Sequence, residues 1–598
     1  MHARHFHKAV GSLLLCLAAG GWSSLFAQLP PGATPGGVQP KTPEATQPAP
    51  PPSELFSVPS VPERPLGLEE GPRLVVKSFT LVGLSDLTAR HAKVSEADVR
   101  QLLDAAIKQQ PQAGLTVNQL QELAGKVADY LHGRGFILAQ AFVPAQDVKN
   151  GDVKIQILPG KLKTVKVEGN KVYSSPTLLR PFNDLVGDVV EKDSIESALL
   201  TLATYPGLSA FGVLGAGAEV GTTNLTLRVQ NEQRITVDGS YDNYGTEFAG
   251  ERRAQVTVGV NDLFGEADKL RAYGLYAYEP GDTNAHGTYG GFNYEIPLFT
   301  PRDSMLLSYS TNSYNIGNVS AGIAALNPKG RTGIGELGYR HDLPPNRLGS
   351  ASFGAALDVE RATFDEQGTE LFKDKLTTLR LNFDWNRTDT RFKGVNQLGI
   401  AYVRGFKSLF GAMGNYDTTP PPGTVQASRF GASGQFGKAL LNAQRLQSLT
   451  TNTSLLLRFQ GQFSSDRLVS LQQLSMGGPD SIRAYPVAQA LVDNGIVGTA
   501  EYIFGVPGLA NRPAFANRTW GQVLQFSVFY DYGHGTLNGP NPIGVLTHYN
   551  LGGYGGAVQF NIPARVFFRL DIAKPTTTSY VASNNRNPQY FFRLGVSY

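Results

Sequence analysis

Arg483 and Asp531 are the two side chains of this 598-residue chain with the clearest chemistry to offer each other. Arg483 stands in Gly478-Pro479-Asp480-Ser481-Ile482-Arg483-Ala484-Tyr485, inside the long connection 464–495, with Asp493-Asn494-Gly495 and Glu501 following. Asp531 ends a segment in which Leu524, Phe526, Val528 and Tyr530 alternate with Gln525, Ser527, Phe529 and Asp531. Alternation puts the second set on one face of a strand. An ionised carboxylate on the enclosed face of such a wall needs a partner. A guanidinium, always charged, offers a forked donor set that matches it. The chemistry on offer is a buried ion pair fastening a loop to a wall. Spacing alone is equally compatible with a solvated loop arginine and a lone wall charge.

Bond-making chemistry has little support. There is no Gly-x-Ser-x-Gly turn, no His-Glu-x-x-His and no cysteine pair. Gly215 to Gly221 has the wrong spacing for a dinucleotide loop and no helix after it. The six histidines beyond residue 7 are scattered, and His534, near Asp531, reads as a strand-end or loop residue. No enzyme activity, metal or cofactor is expected. A net charge of +4 gives no case for nucleic acid.

The element that must carry Asp531 is indicated by the C-terminus. Phe592, Leu594, Val596 and Tyr598 alternate with Arg593, Gly595 and Ser597, giving one oily and one wet face. Left exposed at a free end, such a strand invites aggregation. In a membrane barrel, lipid covers one face and a watery lumen the other. Mean hydropathy is −0.17, and the concentrated apolar run Leu13–Trp22 is shorter than the roughly 20 residues of a spanning helix. Residues 1–27 read as a secretory signal, basic at Arg4 and Lys8, with the only cysteine, Cys16, in its apolar part. Residues 28–72, rich in Pro, Ala and Thr, read as a linker unable to bury a core, by default a tether; a plug or docking segment is the alternative, with no specific sequence support.

From residue 73 the texture is α+β. Leu74–Val82 alternates, and Ser95-Glu96-Ala97-Asp98 opens a helix in the manner of a capping box. Thr116 opens a second helix, stopped by Gly133 and Gly135, and strands are expected at Phe136–Val143 and Val153–Leu158. A second unit of the same order follows, from a strand at Lys163–Glu168 to one at Thr223–Val229. The two units are placed at 73–160 and 161–231.

Beyond them, residues 232–598 alternate with period two between Gly, Pro, Asn and Asp turns. Sixteen strands are expected, near 234–243, 252–262, 268–278, 286–297, 304–313, 331–340, 349–360, 377–388, 395–405, 426–437, 450–463, 496–505, 522–532, 549–562, 564–573 and 589–598. An even number closes a barrel with both ends on one side. Longer connections (314–330, 361–376, 406–425, 464–495) alternate with short ones, so the long set would face outside.

Two stretches carry a family resemblance. Ser481-Ile482-Arg483-Ala484-Tyr485 resembles the Val-Arg-Gly-aromatic lid-loop motif of the Omp85 superfamily, and Phe529-x-Asp531-x-Gly533 its barrel-wall motif. With two repeats ahead of the barrel, the chain resembles the two-partner secretion transporters of the ShlB/FhaC branch. The segments Phe142–Asp147 and Tyr205-Pro206-Gly207 resemble parts of their POTRA domains. Ala484 departs from the pattern, which has glycine there; a positive φ at that site would strain it.

The resemblance implies two periplasmic POTRA domains and a 16-stranded transmembrane β-barrel with a lid loop. It further implies an outer-membrane address, which brings contact with lipid, lipopolysaccharide and the barrel-assembly machinery. The expected partner is a secreted exoprotein, threaded unfolded through the pore and driven by folding outside, since no ATP motif is present. Ile137, Leu138, Ala139, Gln140, Ala141 and Phe142 are the candidate edge for docking it by strand addition. Phe592, Leu594, Val596 and Tyr598 are the candidate assembly signal. The rival reading is an insertase that assembles other barrels.

Overall fold

The computed structural model describes residues 30–40, 55–57, 72–88, 93–319, 321–415, 424–539, 541, 545–576 and 583–598. The expected signal segment and most of the linker lie outside them.

Both α+β units form β-α-α-β-β folds because each supplies two amphipathic helices and a sheet to cover. In the first, Ser95 caps the helix Glu96–Gln109 by accepting from the Asp98 amide. Thr116 and Gln119 form a reciprocal capping box ahead of Val117–Gly133. The buried stripe Leu120, Leu123, Val127 and Leu131 packs on Val153, Ile155 and Ile157 of the strand Asp152–Leu158. That strand lies between Ser78–Val82, parallel to it, and Gln140–Phe142, antiparallel.

The strand expected over Phe136–Val143 is therefore shorter. Phe136 is buried and ends the helix turn, and Ile137 and Leu138 pack against the core of the second unit. Only Gln140–Phe142 remains as an edge.

The second unit has the sheet order Leu208–Ala216, Thr222–Glu232, Lys161–Glu168. A piece of the Pro-rich segment extends it: Phe56 and Ser57 pair in parallel with Gly212 and Val213, and Leu55 is buried in the unit's core. This unit seats on the barrel rim. Arg347, on a short turn between barrel strands, pairs with Glu196 at 2.8 Å, and Thr177 donates to the Gly265 carbonyl at 2.8 Å.

Sixteen antiparallel strands close into a barrel, from Ile235–Asp242 to Gln589–Ser597. The closing pair runs Arg593 against Asp242 through Ser597 against Asp238, with Tyr598 and Val237 exchanging backbone hydrogen bonds. Leu594, Val596 and Tyr598 face outward, as do Val256, Tyr309, Leu381, Tyr402 and Val528 on other strands. Arg593 faces inward, bonded to Asp242. No helix among the described residues is long and apolar enough to cross a membrane, so any crossing is made by strands.

Two expectations about the strands are corrected. The tenth is Gly437–Thr450, not 426–437. Gly431 turns at φ +76°, and Ala432 and Phe436 pack with Leu468 and Val469 of the lid loop. Polar Lys438, Asn442, Gln444 and Gln447 obscure the true strand's alternation. The stretch 361–376 is not a loop but the far end of a long hairpin, Gly349–Glu366 with Thr369–Asp389, turning at Gln367 and Gly368. The short–long alternation is also imperfect, since the connection 506–523, at the end of the barrel expected to carry short turns, is long and holds a short helix, Trp520–Val523.

Candidate functional site: the lid loop and its anchor

The connection 464–493 leaves the outer rim, folds back inward, and returns. Its legs pair as a hairpin, Leu474–Met476 with Ala490–Val492. Gly477 (φ +101°), Gly478 (φ +95°) and Ala488 (φ +54°) bend the chain at the ends of the tip. The tip is buried: Ile482, Ala484 and Tyr485 join Met476, Phe529, Leu551 and Ala573 in one apolar cluster.

At its centre Arg483 meets Asp531. The Arg483 Nε and Nη2 donate to the two Asp531 carboxylate oxygens, both at 2.8 Å, and the backbone N–H of Arg483 adds a third bond at 3.1 Å. Nη1 donates to Glu501 at 2.8 Å and Asp571 at 3.2 Å. The guanidinium carbon stands 3.2 Å from the Phe529 ring centroid. Thr499 donates to Asp531, Ser527 to Glu501, and Arg569 to both Glu501 and Asp571. Three carboxylates thus face two guanidinium groups in a site where the Arg483 side chain is 5% exposed. Buried charges persist only when paired and fully hydrogen-bonded, and these are. The pairing read as possible from the residues is direct, and Glu501 and Asp571 extend it. Asp571 was missed in the sequence because nothing in its strand marks it apart from an alternating position.

The wall beneath the tip is made of glycine. A Cβ on Gly533 would stand 2.5 Å from Ile482 Cδ1, and one on Gly553 would stand 2.2 Å from the Ala484 Cβ. Ala484 is not at a positive φ. Its methyl is accommodated because Gly553 opposite has none, so the departure from the family motif brings no backbone strain here.

A second buried pair holds the root. Asp493, with no exposure, accepts from Arg429 Nη1 at 2.5 and 2.7 Å and from the backbone N–H groups of Leu468 and Asn538. Arg429 also donates to the carbonyls of Leu468 and Asn538. One ion pair thereby joins three outer connections.

Residues 30–40 lie inside the barrel, where no sequence signal placed them, against the lid loop and the wall. Two short helical turns, Pro31–Ala33 and Pro35–Val38, lie between the lid and the opposite wall. A Cβ on Gly36 would meet the Ser470 carbonyl oxygen at 1.9 Å, so only glycine lets the two segments come this close. Ala33 and Val38 are buried against Leu275, Tyr289, Tyr314 and Phe364. No group of metal-binding side chains occurs among the described residues.

Comparison with known proteins agrees with this architecture. Residues 221–542 match the haemolysin secretion/activation protein family ShlB/FhaC/HecB, and residues 89–160 match the ShlB-type POTRA domain. The heme/hemopexin transporter protein HuxB of Haemophilus influenzae strain 86-028NP is 24% identical over 469 residues, covering 77% of this chain and 78% of that protein. Among solved structures, CdiB from Escherichia coli superposes with a TM-score of 0.69 at 20% identity, over 90% of this chain and 93% of its own. BamA from Haemophilus ducreyi, lacking POTRA domains 1–3, gives 0.50 at 13% identity, over 88% of this chain and 99% of its own.

Proposed function

The chain belongs to the ShlB/FhaC/HecB haemolysin secretion/activation family, and from that premise we propose that it is a gated exporter in a closed state. As a two-partner secretion transporter of the outer membrane, with its POTRA domains in the periplasm, it has a secreted exoprotein as partner. A role in assembling other barrels is not favoured: the relatives in hand are transporters, and two repeats precede the barrel.

The single observation that carries the gating reading is the Arg483–Asp531 pair. It holds a loop from the outer rim inside the lumen through contacts that must break before a polypeptide can pass. Ser481, Ile482, Ala484 and Tyr485 are the tip's packing surface, and Phe529 and Gly533 its seat. Residues 1–27 are a secretory signal, and Phe592, Leu594, Val596 and Tyr598 are read by the barrel-assembly machinery. Lipid and lipopolysaccharide contact the outward side chains. The chain supports transport without catalysis.

The test is to delete the gene and compare the proteins of the medium and cell surface. One large exported protein is expected to vanish from outside; an unchanged outer proteome overturns the reading.

For docking by strand addition, the candidate edge in the first repeat narrows to Gln140–Phe142. A photocrosslinker at Gln140, which is exposed, is expected to capture the exoprotein. One at Leu138, packed on the second repeat, is expected to capture none. Equal capture at both positions would sink this assignment.

A further inference from the structure

We propose that four cations on the lipid-facing side of the barrel, Arg331, Arg361, Lys375 and Arg404, form a binding site for the phosphorylated sugar headgroup of lipopolysaccharide. The proposal rests on the outer-membrane address and says which residues hold the glycolipid; export does not enter it.

The four residues stand on adjacent strands, Lys329–Asp342, Gly349–Glu366, Thr369–Asp389 and Gly394–Gly405. Side chains alternate along a strand, and each cation shares its parity with an exposed outward residue of its own strand: Leu337, Phe353, Leu381 and Tyr402 in turn. All four therefore point out of the barrel. They lie at the outer ends of those strands, above the apolar belt, with Arg361 and Lys375 on either side of the outer turn at Gln367 and Gly368. A charge on the lipid face is tolerated near the interface and costly at the midplane, so this is headgroup level.

Their charge is not balanced by the protein. One step further out, Lys373 pairs with Glu370 at 2.9 Å, and Lys329 stands opposite Asp365. In the row beneath, Arg361 stands directly opposite Lys375, and Arg331 is diagonal to Arg361. Like charges facing each other across a strand pair destabilise it. Among the described residues, none of the four has a carboxylate within ion-pair distance. An anion seated between them turns that repulsion into attraction, and arginine meets a phosphate with two parallel donors.

The surroundings suit a sugar phosphate at an interface. A Cβ on Gly437 would stand 2.8 Å from the Tyr402 hydroxyl and 3.4 Å from Arg404 Nη1, so both side chains lie over bare backbone. The Tyr309 hydroxyl stands 3.6 Å from the place of a Gly333 Cβ, and Gly333 is the register partner of Arg361. Two interfacial phenols thus flank the cations. Four strands at about 4.8 Å spacing span roughly 14 Å, too broad for one phosphate group. Elsewhere the outward cations near the outer strand ends are single: Arg252 and Lys574 are three strands apart.

The test titrates the purified full-length chain in detergent with bis-phosphorylated lipid A and reads bound lipid by native mass spectrometry. Arg361→Gln with Arg404→Gln is expected to weaken binding at least tenfold, and Lys574→Gln to leave it unchanged. Dephosphorylated lipid A and phosphatidylglycerol are each expected to bind at least tenfold more weakly, and excess inorganic phosphate not to compete. If the double variant does not form the folded barrel on an unheated gel, Arg331→Gln with Lys375→Gln replaces it, with the same loss expected. Equal binding by variant and parent, equal binding of phosphatidylglycerol and lipid A, or displacement by inorganic phosphate overturns the site. Fractionation of the parent strain separates the failures. A chain found outside the outer membrane sinks the address, and one found in it that binds no lipid A sinks the site alone.

Discussion

Arg483→Ala is expected to turn a quiescent pore into a conducting one and to depress secretion. Alanine leaves Asp531, Glu501 and Asp571 facing Arg569 alone. Removing one partner of a buried ion pair costs ~3–5 kcal/mol, enough to lower the seated population of the lid by roughly two to nearly four orders of magnitude. Conductance in planar bilayers measures the first effect, and exoprotein in the medium the second. The charge exchange provides the control: Arg483→Glu with Asp531→Arg keeps the charge count and the facing geometry. The double variant is expected to secrete at least tenfold more than either single one, because an arginine at 531 stays within reach of Glu501 and Asp571. A double variant no better than the singles would rule out a direct pairing.

Gly553→Ala is expected to unseat the same lid without touching a charge. The new methyl would overlap the Ala484 Cβ at 2.2 Å, with strand backbone on one side and the packed tip on the other. Overpacking of this kind costs ~1–3 kcal/mol, roughly 10- to 100-fold in the seated population. Adding Ala484→Gly removes one of the two methyls and is expected to return conductance toward the parent level. If Gly553→Ala alone behaves as the parent, the tip does not press on that wall during function.

Much of this architecture was legible because the barrel's physics writes a period of two into each strand. Phe592 to Tyr598 and Leu524 to Asp531 alternate so plainly that faces could be assigned residue by residue, and the strand number came out as sixteen. Alternation failed where the lumen is polar on both sides of a position, as in 438–448, and where aromatics such as Phe436 served a loop. Arg483 and Asp531 could be paired because each had a local setting, a long inward-capable loop and an inward strand face. Gly533 was legible as the end of the Phe529-x-Asp531-x-Gly533 motif, whereas Asp571 and Gly553 act only by juxtaposition across strands, which no local pattern records. The seating of residues 30–40 was hidden for the same reason, since proline and glycine advertise a tether whether or not a wall is shaped to receive it.

The Arg429–Asp493 pair has a consequence for how far the gate can swing. With both legs of the hairpin held at the rim, the part left to move is the clapper between Gly477 and Gln489, hung from a fixed bell-mouth. A stretch of that length, doubled back on itself, sweeps an arc of only ~20 Å. It can swing aside but cannot leave the bell. Any passage such a swing opens lies beside the stem and is bounded by that arc.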